Sequence, residues 1–133
     1  MSQTTPRWKG VFKQTNIADL VILTPFAIPF VADHYLSLWR LISETISADR
    51  PLGEFGPDAV LFVNLAGAFA LLAVLVRMRL ANAQAARMTG IFKLFAAAIF
   101  AIALMREASL VFAIPLIADL VLGALLLVSS RKP

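Results

Sequence analysis

Four long apolar stretches, separated by shorter polar segments, organise this chain. They cover residues 16–34, 58–77, 89–106 and 108–128. Between Asp58 and Arg77 the second carries no charge, and the fourth carries one, Asp119. A helix needs about 20 largely apolar residues to cross a bilayer. The second and fourth stretches meet that length alone, and the first and third meet it with polar residues placed at headgroup level. Lipid offers the backbone no hydrogen-bond partner, so the pattern predicts helices throughout.

Between the first two stretches the periodicity changes. Tyr35, Leu38, Trp39, Ile42 and Ile46 recur at helical spacing, with Ser37, Arg40, Ser43, Glu44 and Ser47 elsewhere on the wheel. This predicts a short amphipathic helix over residues 35–48, continuing the first span or lying in the interface. Trp39 and Tyr35 suit the headgroup layer. The Pro- and Gly-rich run from Arg50 to Pro57 then breaks the helix before the second span. The expected fold is all-α: one domain, residues 1–133, forming a four-transmembrane-helix bundle with an amphipathic helix in its first outer loop.

Composition supports lipid as the solvent. Sixty per cent of the 133 residues are hydrophobic and 15% are charged, against about 25% charged in an average soluble domain. So small a soluble domain lacks the interior to bury that much apolar surface. The net charge of +4 reads as a topology signal and not as a nucleic-acid footprint, because the basic residues flank apolar segments. Arg7, Lys9 and Lys13 precede the first span, Arg77, Arg79 and Arg87 follow the second, and Arg131 and Lys132 follow the fourth. Alternating spans put all three clusters on one side, with both termini cytoplasmic. The first stretch has a basic leader but no small-residue cleavage site, so it reads as a retained helix and not a signal peptide.

The chain has no cysteine and one histidine, His34. Thiolate metal sites, iron–sulfur clusters and bis-histidine haem within one chain are therefore excluded. Phosphate-binding loops, zinc-protease motifs and nucleophile elbows are also absent from the sequence. No catalytic residue, metal or cofactor is expected.

The candidate functional groups are polar residues inside the apolar stretches. Asp119 lies about 13 Å from the inner end of the fourth span, where a charge costs roughly 2.5–3.5 kcal/mol. It is expected to face the bundle, either as an interhelical hydrogen-bonding group near Pro115 or as a proton- or substrate-handling group. Asp19 and Lys93 enter the first and third spans at similar depth from the same side. They form an ion pair, or else Asp19 is interfacial and Lys93 snorkels to the headgroups. A Lys93–Asp119 pair is disfavoured, because helical side chains lean toward the N-terminus and point Lys93 away from the bilayer centre. Asn64 is expected to make a hydrogen bond within the bundle. Asp33 and His34 are assigned to the outer interface. Ala66, Ala70 and Ala73, and again Ala97 and Ala101, are spaced for close helix contact.

Ile17-Ala18-Asp19-Leu20-Val21 recurs as Ile117-Ala118-Asp119-Leu120-Val121. Phe26-Ala27-Ile28-Pro29 recurs as Phe112-Ala113-Ile114-Pro115, in exchanged order. The spacing from Asp to Pro differs between the two copies, so the echo reads as coincidence.

Leu61-Phe62-Val63-Asn64-Leu65-Ala66-Gly67 with Arg77, and Ala18-Asp19-Leu20 followed by Thr24-Pro25-Phe26-Ala27-Ile28-Pro29, resemble segments of small, uncharacterised bacterial four-helix membrane proteins. The layout more distantly resembles the DoxX-like membrane proteins. The resemblance implies a multi-pass protein of the bacterial inner membrane, and carries over no catalytic residue. The functional expectation is a non-enzymatic accessory or scaffold subunit that contacts the lipid bilayer and forms a homo-oligomer or joins a larger membrane complex. The alternatives are a small proton- or solute-coupled carrier built around Asp119, and a membrane subunit of a quinone-linked redox complex.

Overall fold

The computed structural model describes residues 6–130. Five α-helices follow in chain order: α1 Arg7–Ala27, α2 Val31–Ile46, α3 Pro57–Leu80, α4 Ala83–Met105 and α5 Ala113–Ser129, with a 3-10 turn at Leu110–Phe112 leading into α5. Three segments are each long and apolar enough to cross a membrane: α3, α4, and the 3-10 turn taken with α5. A fourth reaches that standard only when α1 and α2 are taken together, and these are bent by 112° where they meet.

That bend corrects the expected first segment. The helix runs from Arg7 to Ala27 and stops short of residue 34. Its end follows from proline chemistry. Pro29 disfavours helical backbone at Ile28, which adopts φ −101°, ψ 114°. Phe30 then takes a positive φ of 66° and reverses the chain. The amphipathic helix accordingly starts at Val31, not at 35, as a separate element. Ala32, Leu36 and Ser43 are buried, whereas Leu38 and Ile46 are exposed. Tyr35 packs edge-on against Phe26 at a centroid distance of 4.8 Å and holds α2 against the end of α1. Ser43 donates to the Arg40 carbonyl and accepts from the Leu52 N–H at 2.7 Å, which ties down the following loop.

The basic segment expected to link the second and third spans is almost entirely helical. Only Ala81 and Asn82 separate α3 from α4. Asn82 caps α4 by accepting from the Ala85 N–H at 2.7 Å. Arg79 and Arg87 stay exposed, so their charge does not interrupt either helix.

Helix α1 occupies the middle of the arrangement. It packs on α3 on one side and on the α4–α5 pair on the other. Two close approaches set the registers. Gly67 lies so near α1 that a Cβ there would meet the Phe26 carbonyl carbon at 2.7 Å. Gly90 and Gly123 face each other across α4 and α5, and a Cβ on either would meet the other's carbonyl oxygen at 3.1 Å. The alanine spacing read from the sequence marks the contacts only in part. Ala97 is buried, but Ala66 and Ala73 are exposed, and the packed face of α3 runs through Gly67 and Val74. At the α1 N-terminal end, Phe12, Ala86 and Leu126 close a small core from three helices.

Candidate functional site

Helix α4 presents one buried face: Ala86, Thr89, Gly90, Lys93 and Ala97. Four of the five are small or can bond their own helix, as Thr89 does through the Ala85 carbonyl at 2.8 Å. Lys93 is the exception. Its side chain is 8% exposed, and its ammonium must find anions inside the protein. It finds two. Nζ donates to Oδ1 of Asp19 on α1 and to Oδ1 of Asp119 on α5, each at 2.8 Å. Arg77 on α3 completes the set, donating through Nη2 to the other oxygen of Asp19 at 2.8 Å.

The result is a chain of alternating charge, Arg77–Asp19–Lys93–Asp119, that passes through α3, α1, α4 and α5. Two cations offset two carboxylates, and all four side chains are at most 20% exposed. Such a group is costly to remove from water, and the loss of one member leaves its partner unpaired at a cost of about 3–5 kcal/mol.

The close Lys93–Asp119 contact is the opposite of what side-chain lean suggests. The glycine pair explains the difference. With Gly90 against Gly123, antiparallel register puts Lys93, one turn along α4, opposite Asp119, one turn back along α5. The helices there are close enough that the lysine needs no reach along the axis. The repeated Ile-Ala-Asp-Leu-Val segments also acquire a shared feature, since both deliver their aspartate to the same ammonium.

Arg77, read from the sequence only as a topology signal, belongs to this cluster. Its spacing from Gly67 and Val74 sets it on the packed face of α3, a face that only the packing of α3 on α1 identifies. Asn64 stands apart. Its Nδ2 donates to the Val60 carbonyl of its own helix at 2.9 Å, and not to a neighbouring helix. Its Oδ1 is buried with no hydrogen-bond partner among the described residues, as are Oδ1 of Asn16 and Nε of Arg77. Asp33 and His34 are exposed on α2, away from the cluster, and His34 Nδ1 lies 2.9 Å from the Phe30 carbonyl oxygen. Arg131 and Lys132 lie outside the described residues. Among those described, no group of three or more His, Cys, Asp or Glu is arranged to hold a metal ion.

A second ionic group lies on α2 and its following loop. Arg40 donates to Glu44 at 3.1 Å and to Glu54 at 2.6 Å. The hydrogen bond from Arg40 holds the Glu54 carboxyl below its ordinary value, and the Glu54 and Glu44 carboxylates raise Arg40. These groups are solvent-exposed, so the interaction is screened.

The chain matches no family model, no curated protein and no solved structure.

Proposed function

We propose that this chain is a multi-pass protein of the bacterial inner membrane that serves as a non-enzymatic accessory or scaffold subunit. The membrane reading is supported by what the helices leave uncovered. Phe62, Phe69 and Phe95 expose 70%, 71% and 62% of their surface, on helices whose Arg77 and Lys93 turn inward to Asp19 while the exposed charges Asp58, Arg79 and Arg87 lie near the helix ends. Water is a poor solvent for such faces and acyl chains are a good one. The N-terminal ends of α1 and α4 and the C-terminal end of α3 carry Arg7, Lys9, Lys13, Arg79 and Arg87, which orients that end toward the cytoplasm.

The scaffold reading is carried by the neutral Arg77–Asp19–Lys93–Asp119 chain. It joins four helices through complementary charges and holds them in one arrangement, which suits a module that presents a fixed surface to a partner subunit or a second copy. A carrier is the second reading. It is favoured by the sharing of Lys93 between carboxylates on two helices, since neutralising one of them would leave the ammonium to the other.

Reporter fusions after Ala48 and after Gln84 test the topology. Opposite sides, with residue 84 cytoplasmic, are expected, and a cytoplasmic signal at 48 overturns the four-span arrangement. Affinity purification in mild detergent with mass spectrometry tests the scaffold role. A stoichiometric membrane partner or a defined homo-oligomer is expected, and a monodisperse monomer with no partner counts against it.

A further inference from the structure

A groove of about 450 Å³ lies between the first turns of α1 and the end of α3, lined by Trp8, Lys9, Phe12, Lys13, Asn16, Met78 and Ala81. Its chemistry is one-sided. Two lysines one helical turn apart supply positive charge, and no acidic side chain is among the lining residues. Its inner end is Asn16, which is 1% exposed and whose Oδ1 has no hydrogen-bond partner among the described residues. A buried amide oxygen in that state needs a donor. Below the lysines the same face of α1 changes character. Lys9 and Lys13 continue at four-residue spacing into Ile17 and Val21, which are 45% and 69% exposed.

From this profile we propose that the groove binds an anionic phospholipid with a hydroxyl-bearing headgroup. The proposal rests on the membrane reading above. The phosphate sits between the Lys9 and Lys13 ammonium groups. A headgroup hydroxyl donates to Asn16 Oδ1. The acyl chains run along Ile17 and Val21, with Trp8 at headgroup level. An ammonium headgroup could also donate to Asn16, but it would enter a groove that already holds two positive charges. The hydroxyl is a neutral donor and avoids that repulsion.

The test is native mass spectrometry of the full chain in mild detergent, titrated with phosphatidylglycerol, phosphatidic acid, phosphatidylethanolamine and phosphatidylcholine. Phosphatidylglycerol is expected to be retained most strongly. The Lys9→Gln/Lys13→Gln double variant alters only exposed side chains, and should lower that retention roughly ten- to thirtyfold. The Arg79→Gln/Arg87→Gln double variant removes the same charge from the same end and should leave it unchanged. Asn16→Leu should erase the preference for phosphatidylglycerol over phosphatidic acid. Should that variant not fold, the wild-type comparison of these two lipids decides the hydroxyl contact. Equal losses in the two double variants, equal binding of phosphatidylglycerol and phosphatidic acid by the wild type, or displacement of the lipid by inorganic phosphate alone would each overturn the proposal. Carbonate extraction of the chain from vesicles separates the two levels. An extractable chain defeats the membrane reading, whereas an integrated chain without lipid preference defeats only the groove.

Discussion

Lys93 on α4 and Asp119 on α5 meet at 2.8 Å, one turn beyond the point where Gly90 faces Gly123. The glycines allow the helices to approach, and the approach makes the ion pair. Because Asp19 shares the same ammonium and Arg77 holds Asp19, the four residues form one energetic unit. Changes within it should not add.

Lys93→Met leaves Asp119 without its cation and is expected to destabilise the protein by about 3–5 kcal/mol. Adding Asp119→Leu removes the orphaned charge while Arg77 still pairs with Asp19. The double variant should therefore be more stable than Lys93→Met alone. A thermal-shift cycle over the four proteins measures this, and simple additivity would show that the contacts are not coupled.

Asp119→Asn separates the two functional readings. A clamp keeps most of its geometry, because the amide oxygen still accepts from Lys93. A carrier that works by protonating Asp119 loses its chemistry. A folded, inserted Asp119→Asn protein that complements a deletion strain as well as wild type eliminates the carrier, and a folded but inactive one eliminates the purely structural role.

Gly67→Ala is expected to be worse than Gly123→Ala. A Cβ at 67 meets the backbone of Phe26 and Ala27 at 2.7–2.8 Å, which only a shift of α1 can relieve. At 123 the nearest atom is Leu94 Cδ2 at 2.9 Å, the end of a flexible side chain. The expected cost at 67 is about 1–3 kcal/mol, and denaturation midpoints of the two variants provide the comparison.

Glu107 turns the chain after α4 at φ 64°, a conformation that disfavours residues with a Cβ. Glu107→Gly should stabilise the protein by up to about 1 kcal/mol. A lowered melting temperature would show that the Glu107 side chain contributes more than its backbone strain costs.

The Arg40–Glu54 contact sets one expectation for pH. Glu54 is held below its ordinary value of about 4.3, so its contribution is present above that value and is lost as pH falls through its lower folded value. Acid titration followed by proteolysis of the 47–56 loop should show earlier opening for Glu54→Gln than for wild type at neutral pH, and the difference should vanish in acid.

The sequence determined the helical class, because long apolar runs in a chain of 133 residues with 15% charge admit few other solutions. It also marked Asp19, Lys93 and Asp119, since an ionisable group within an apolar run stands out against its neighbours. What it could not determine was which of them touch. Ion pairing depends on the register between helices, and register here is set by Gly67, Gly90 and Gly123, whose lack of a side chain leaves almost no hydrophobic signal. The break at Ile28–Phe30 was legible only as a kink, signalled by Pro25 and Pro29. Apolar periodicity runs through it without interruption, and only the backbone restriction imposed by Pro29, together with the packing of Tyr35 on Phe26, decides that α2 turns away by 112°. Arg77 shows the limit most plainly. A lysine or arginine at the end of an apolar helix has the same sequence signature whether it marks topology or completes a buried network, and only the proximity of α1 to α3 made it a partner of Asp19.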